Sequence, residues 1–350
     1  MQKLTVAGRL IITALIIGAI YFGFRMFGGQ EALKKLAPET QTEVNTATSG
    51  ADNSSNPAEP SNSATDSKSS SSSSSSASDG GQKPTFSYTP PGPVAGKLKG
   101  VVELGASGFN SFIIRIDADK NWKQEKAEFG NSLVMENMAS DDDIRAGLKK
   151  YIGGMLDYGV SGRDIHFVVS SGAVKAEGTQ KIINVLKSLK YFVNTVTPEK
   201  EGQLALKCVQ PAKFADNSFV TDIGSGNTKI SWREGGKISA IETYGAKYFQ
   251  NNTADDVVAT EVKAKTKQIP SDKREVCFII GGVPFELAKK VRQGKERYTV
   301  LDAPSAYNLD NAKSKAGLNI YKSIAESTGC KQFVFDWEAN FTIGFLLDLP

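Results

Sequence analysis

Phe219-Val-Thr-Asp-Ile-Gly-Ser-Gly-Asn-Thr-Lys-Ile-Ser-Trp232 decides the reading of this chain: two strand-like runs, Phe219 to Ile223 and Thr228 to Trp232, meet at a turn of small residues. Runs of β-branched and aromatic residues on both sides of a glycine-containing turn read as a hairpin. The same device occurs once before. Val101-Val-Glu-Leu104 and Ser111-Phe-Ile-Ile-Arg-Ile-Asp117 flank Gly105 to Gly108, and each first strand ends on a carboxylate, Glu103 before Gly105 and Asp222 before Gly224. An internal repeat of this kind points to a duplicated unit. A turn of small residues offers backbone N–H groups to an anion, and an adjacent carboxylate can hold a divalent cation or orient water. Two such turns facing one another would clamp the ends of a phosphate chain.

Between and beyond the hairpins, helices alternate with strands. Asp141 to Asp143 open a helix whose apolar positions Ile144, Leu148, Tyr151, Ile152, Met155 and Leu156 keep helical spacing. The strand Ile165 to Ser170, a helix from Thr179 to Leu189, the strand Phe192 to Val196 and a helix from Glu199 to Val209 complete one α/β unit. In the second unit Val276-Cys-Phe-Ile-Ile-Gly-Gly282 runs into a helix from Pro284 to Arg292, which puts paired glycines where a ligand or a helix approaches closely.

Composition narrows the function classes. The chain has 350 residues, 42 Lys and Arg against 38 Asp and Glu, and a net charge of +4, too mild a balance to signal nucleic-acid binding. Cys208, Cys277 and Cys330 form no close pair, so zinc, thioredoxin-type and disulfide-framework readings have no support, and the three read as buried core thiols. His166, the single histidine, has no second histidine with which to share a metal and reads as structural.

The N-terminal third differs. Leu10 to Phe24 is an uncharged, mostly apolar run between Arg9 and Arg25, followed by bulky residues in place of a small-residue cleavage site. It is expected to be an uncleaved single-pass membrane anchor within residues 1–36, with its orientation left open by the flanking charges. Residues 37–97, rich in Ser, Asn, Asp, Gly and Pro and including eight consecutive serines at 69–76, read as a disordered linker. A tether of that length has an r.m.s. reach of roughly 40 Å.

The residues of the two hairpins and of the later motifs resemble the exopolyphosphatase and guanosine pentaphosphate phosphatase (Ppx/GppA) family. Glu103-Leu-Gly-Ala-Ser-Gly-Phe-Asn110 resembles its first phosphate loop and Asp222-Ile-Gly-Ser-Gly-Asn-Thr228 its second. The likeness continues in order through Ser170-Ser-Gly-Ala-Val-Lys-Ala176, Thr197-Pro-Glu-Lys-Glu-Gly-Gln-Leu204, Gly245-Ala246, Gly281-Gly282 and Asn340-Phe-Thr-Ile-Gly-Phe-Leu-Leu-Asp348, and so covers about residues 98 to 350.

What the resemblance implies is an α/β, two-lobed ribonuclease-H-like fold of the actin and sugar-kinase type, with lobes at 98–215 and 216–350 and a cleft between them. It implies hydrolysis of terminal phosphoanhydride bonds of polyphosphate or a phosphorylated nucleotide, assisted by Mg²⁺ or Mn²⁺. Glu201 then matches the family residue that positions the attacking water. Glu103 and Asp222 match metal-holding carboxylates. Gly105, Ala106, Ser107, Gly108, Lys175, Gly224, Ser225, Gly226, Asn227, Thr228 and Lys229 fall on the phosphate-binding stretches.

The departures bear on activity. Glu103 replaces the family Asp, Ser107 an Asn, Lys175 an Arg, and Lys229 a Glu that helps hold metal or water. Lys229 could supply the charge of a cation in place, could leave a site that captures phosphate without turnover, or could point to solvent from a strand face. From the residues alone, Glu201 also reads as a solvated first-turn residue favoured by the helix dipole. The chain is therefore expected to be a membrane-tethered phosphatase of this type. The alternatives are a non-catalytic phosphate-chain sensor or scaffold at the bilayer and an actin-like assembly protein. A homodimer stays open.

Overall fold

The computed structural model describes residues 86–105, 108–130, 140–174 and 177–350. Contacts divide the chain into Met1–Ala77 and Ser78–Pro350, and all described residues belong to the second unit. The expected anchor and linker residues 37–85 lie outside them, as do Ala106, Ser107 and Lys175. Residues 86–97 are a correction to the expected linker: Phe86 and Tyr88 pack against Phe214 and Tyr298 of the central core, and Lys97 opens the first strand, because these apolar rings have a core face to bury against. Among the described residues no helix is long and apolar enough to cross a membrane.

Two sheets carry the fold. In the first, β1 (Lys97–Gly105), β2 (Gly108–Ile116) and β3 (Trp122–Phe129) form an antiparallel meander, and β4 (Ile165–Val169) and β5 (Val193–Thr195) add in parallel on the other side of β1, giving the order β3-β2-β1-β4-β5. In the second, β6 (Ser218–Ile223), β7 (Asn227–Glu234) and β8 (Lys237–Tyr244) repeat the meander. Here β9 (Val276–Ile280) and β11 (Gln332–Asp336) repeat the parallel pair, with β10 (Tyr298–Val300) added antiparallel at the edge. The expected duplication is thus a duplication of topology. The third strand of each meander, β3 and β8, was not legible: β3 is Trp122-Lys-Gln-Glu-Lys-Ala-Glu-Phe129, half-buried at most, and has no apolar face to announce it.

Helices fill three layers. Outside the first sheet lie α1 (Asp141–Asp157) and α2 (Glu177–Ser188), and outside the second lie α4 (Asp255–Thr266), α5 (Gly282–Val291) and α6 (Ala312–Thr328). Between the sheets α3 (Pro198–Val209) packs on α7 (Phe341–Asp348). The local starts are conventional. Ser140 caps α1 by accepting from the Asp143 N–H, Thr197 caps α3 ahead of Pro198, Asn311 caps α6, and Asn340 caps α7.

The strand period of two distributes each strand between cores. Val101, Phe112, Val220, Phe278 and Ile280 face the central cluster with Leu204, Ala205 and Ile343, whereas Val102, Leu104, Phe219 and Ile230 face the outer clusters. Glu103 follows Val101, and Asp222 follows Val220, on the central side. Both carboxylates therefore point between the lobes, which is the physical reason the repeat makes one site rather than two.

Candidate functional site in the interlobe cleft

A cavity of about 430 Å³ opens between the lobes and is lined by Glu103, Gly105, Glu201, Asp222, Gly224, Ser225, Gly226, Asn227 and Lys229, among others. The structure thus brings the catalytic candidate, both metal candidates and most of the second phosphate turn to one place. Thr228 is a correction. It alternates with Lys229 along β7, is fully buried away from the cavity, and its Oγ1 has no hydrogen-bond partner, so it offers the cleft no side-chain contact. Gly108 opens β2, and of the first turn Gly105 lines the cavity.

Glu201 sits in the first turn of α3 yet is only 1% exposed, so the solvated reading is overturned. Gly202 beside it lets α3 lie against β7 and β8: a Cβ there would meet the Cβ atoms of Ala240 at 3.1 Å and Lys229 at 3.5 Å. That close approach carries the Glu201 carboxylate into the cleft floor. Its Oε2 accepts from the Ser171 N–H at 2.8 Å and the Ser171 hydroxyl at 2.5 Å, and its Oε1 is ion-paired with the Lys229 ammonium. Asn227 in turn donates to Ser171 Oγ at 3.0 Å and to Glu242 at 3.2 Å. Ser171 thus joins the α3 carboxylate to the second hairpin.

Of the three readings of Lys229, the one that points it to solvent falls, because the side chain is 3% exposed. Burial by itself lowers an ammonium pKa, but the carboxylates of Asp222, its cross-strand partner, and Glu201 outweigh that and hold Lys229 above the ordinary lysine value. Burial pushes the Asp222 carboxyl up to about 6, against the opposing pull of Lys229. Glu103 is held differently. Asn110, its cross-strand partner, donates to Glu103 Oε2 at 2.8 Å, and Asn340 reaches the same oxygen at 3.0 Å from the start of α7. Burial pushes that carboxyl up to about 7, only partly offset by the two amides.

The expected Mg²⁺ or Mn²⁺ does not fit these residues. A divalent cation needs unencumbered carboxylates, and here the ammonium of Lys229 already lies against Glu201 and opposite Asp222. Among the described residues no group of three or more His, Cys, Asp or Glu is placed to hold a metal.

Glycine matters at two points of the cleft. Gly281, at φ +112°, lies so close to β6 that a Cβ would stand 2.3 Å from the Ile223 oxygen, and it turns the chain from β9 into α5. Gly226 meets Gly172 across the lobes, where a Cβ would lie 2.9 Å from the Gly172 Cα.

Sequence reasoning missed Asn110, Ser171, Asn340 and Asp336 as members of the site. Ser171 and Asn340 stand inside motifs quoted above, but their partners lie 30 and 237 residues away. Asp336, 1% exposed, ends β11 in a bidentate pair with Arg297, both contacts at 3.0 Å, and the Arg297 guanidinium lies 4.4 Å above the Trp122 ring of the first lobe. The cysteines are buried and free, as expected, and half-buried His166 packs against Phe345.

No protein-family profile matches the chain, and no curated protein matches it. Solved structures do. The type II variant of the Ppx/GppA phosphatase of Aquifex aeolicus superposes with a TM-score of 0.52 at 15% identity, covering 72% of this chain and 98% of that one. An exopolyphosphatase from Cytophaga hutchinsonii gives 0.57 at 14% identity, again over 72% and 98%. A second Aquifex aeolicus PPX-GPPA structure gives 0.54 at 15%, over 72% and 99%. The described part of this chain therefore has the mixed α/β, two-sheet fold of the solved Ppx/GppA phosphatases and exopolyphosphatases, as the motifs of its two hairpins led one to expect.

Proposed function

We propose that the interlobe cleft holds the terminal phosphate groups of a phosphorylated ligand between its two glycine hairpins and hydrolyses the terminal phosphoanhydride. The observation that carries this reading is the placement of Glu201. A carboxylate from the first turn of a helix lies on the floor of a cavity lined by both hairpins, held on one oxygen by Ser171 and on the other by Lys229. Phosphoryl transfer demands mainly placement of the nucleophile and neutralisation of charge on the phosphorus oxygens. Lys229 and Lys313 are the cations among the described lining residues, and Glu201 is the group that would orient water. The N-terminal run 10–24 would tether this domain to a bilayer and residues 37–85 would space it from the surface.

A second reading rests on one specific contact. With both oxygens of Glu201 engaged and an ammonium where a cation-holding carboxylate is expected, the cleft can bind phosphate without cutting it. Phosphate release from tripolyphosphate and from nucleoside triphosphates by the full-length protein, with Mg²⁺ or with chelator, separates the two. The hydrolase reading expects release that survives chelation and falls at least 100-fold in Glu201→Gln. Retained binding with no release under either condition establishes the binding reading.

A further inference from the structure

Seven large apolar side chains stand exposed among the described residues, and four of them share one place. Phe129 and Phe285 border the interlobe cleft and Val257 stands on α4, whereas Val94, Leu156, Tyr158 and Phe192 lie at the end of the first sheet remote from the cleft. That placement follows from the strand directions. β1 and β4 run in parallel towards Gly105 and Ser170 at the cleft, so their starts, and that of β5, lie at the opposite end. Leu156 and Tyr158 sit where α1 returns to β4, and Phe192 immediately precedes β5. The Val94 N–H donates at 3.0 Å to Asp117, which follows the end of β2 beside the start of β1.

Phe192 is the most exposed of the four, at 87%. Lys190, at φ +64°, turns the chain out of α2, and Tyr191 tucks its ring 5.3 Å from that of Phe167 in the outer core. Successive side chains of an extended segment face opposite ways, so Phe192 is turned outward. A single exposed apolar residue is ordinary, but four gathered at one end mark a surface that meets something. Cations surround them. Lys187 and Lys190 flank Phe192 in a stretch, 185–196, that holds no carboxylate. Lys97, Lys99, Lys120 and Arg163 stand beside them on β1 and the neighbouring loops, against Asp117, Asp119, Asp157 and Asp164. Of these, Asp117 is spent on the N–H groups of Val94 and Asn121, and Lys120 also reaches the Leu349 oxygen. Burial, and after it the Lys120 ammonium, lowers the Lys99 pKa, so the lysines of this end stand close enough to repel one another.

Resting on the tether reading above, we propose that this end of the first lobe docks on an anionic bilayer surface, with Phe192 entering the headgroup layer and Lys187 and Lys190 on lipid phosphates. The course of the chain points to the same partner. Residues 1–85, which hold the apolar run 10–24, lead into the fold through Val94 to Lys97, at this same end. Apolar side chains that enter the headgroup layer and lysines that pair with anionic lipid are the two components of interfacial binding. Docking in this way leaves the cleft clear of the bilayer, because Gly105 lies at the far end of a nine-residue strand from Lys97, roughly 26 Å away. The cleft is then free to take a soluble ligand.

The test uses the full-length protein, native and Phe192→Trp, reconstituted into vesicles of phosphatidylcholine with or without phosphatidylglycerol, part of the phosphatidylcholine carrying brominated acyl chains. Flotation with the neutral vesicles at high salt reads the tether alone. Docking is read separately, as bromine quenching of the fluorescence that the variant adds to the three native tryptophans. That added signal should be quenched in the anionic vesicles and recover as salt is raised. A cation beside an anionic bilayer is worth about fivefold in partitioning, so Lys187→Glu with Lys190→Glu in the Phe192→Trp chain should cut the docked-to-free ratio at least about 25-fold. All three side chains are exposed, so the thermal midpoint should not move, which separates loss of docking from loss of fold. Absence of quenching in protein that floats, equal quenching in neutral and anionic vesicles, or quenching that survives the charge reversal overturns the docking surface and leaves the tether standing. Self-association of the detergent-solubilised protein that Phe192→Ser abolishes also overturns it, by placing a second copy on this face. Failure to float at high salt overturns the tether, and quenching by anionic vesicles at low salt then still decides the docking.

Discussion

The two hairpins have the same register and opposite electrostatics. Glu103 stands across from Asn110 in the first, and Asp222 stands across from Lys229 at the equivalent place in the second, seven residues on in both cases. The neutral amide satisfies an oxygen of Glu103 and leaves its carboxyl at about 7, whereas the ammonium of Lys229 restrains Asp222 to about 6 and reaches Glu201 as well. One cross-strand residue thus decides whether a hairpin sets a neutral amide or an ammonium beside its carboxyl, and in the second hairpin that ammonium goes on to pair with Glu201 of α3. The backbone of the repeat is indifferent to that choice, because residues 110 and 229 each spend their backbone groups on the ladder whatever side chain they carry.

The comparison breaks most directly if the second hairpin is given the partner of the first. Lys229→Asn should destabilise the protein by about 3–5 kcal/mol, since it leaves the buried Glu201 carboxylate without its cation. Urea denaturation measures this, and Glu201→Gln in the same chain should recover most of the loss. Equal losses in the single and double variants would mean that Lys229 acts through packing of its stem.

Glu103 gives the next largest effect, through pH. Its folded carboxyl titrates near 7, above the ordinary value of 4.5, so the folded state holds a proton there that the unfolded state has released. Between those values stability falls as pH rises, by about 2 kcal/mol after allowance for partial exposure. In Glu103→Gln the urea midpoint should lose that slope, and an unchanged slope would assign it elsewhere.

Asn110→Ala should cost about 1–2 kcal/mol, because Asn340 still satisfies the shared Glu103 oxygen. The expected ordering, Lys229→Asn well above Asn110→Ala, is itself the check on the comparison. The smallest effect belongs to the surface contact between α3 and α7. Lys200 and Lys207 both pair with Asp348, in partly exposed positions, and Asp348→Asn should change stability by about 0–1 kcal/mol and less at high salt.

How far the sequence was legible follows from the range of the interactions. The strands β1, β2, β6, β7 and β9 announce themselves by apolar runs and glycine turns, and α1 and α3 by caps and helical spacing, all signals contained within about fifteen residues. The half-buried β3 and the three-residue β10 carry no such signal and depend on neighbouring strands for their hydrogen bonds.

The sequence by itself determined the duplicated α/β plan, the hairpin turns and the carboxylates that precede them, because a strand period of two and a glycine turn are local properties. It also placed Glu201 at the start of a helix. Only the tertiary structure decided that this helix lies so close to β7 that Glu201 and Lys229 neutralise one another, that Asn340 reaches Glu103 across 237 residues, and that Phe129 and Phe285 meet from opposite lobes. Those contacts depend on which faces of two sheets and two central helices are pressed together. That is set by burial of the whole central core, which no local pattern encodes.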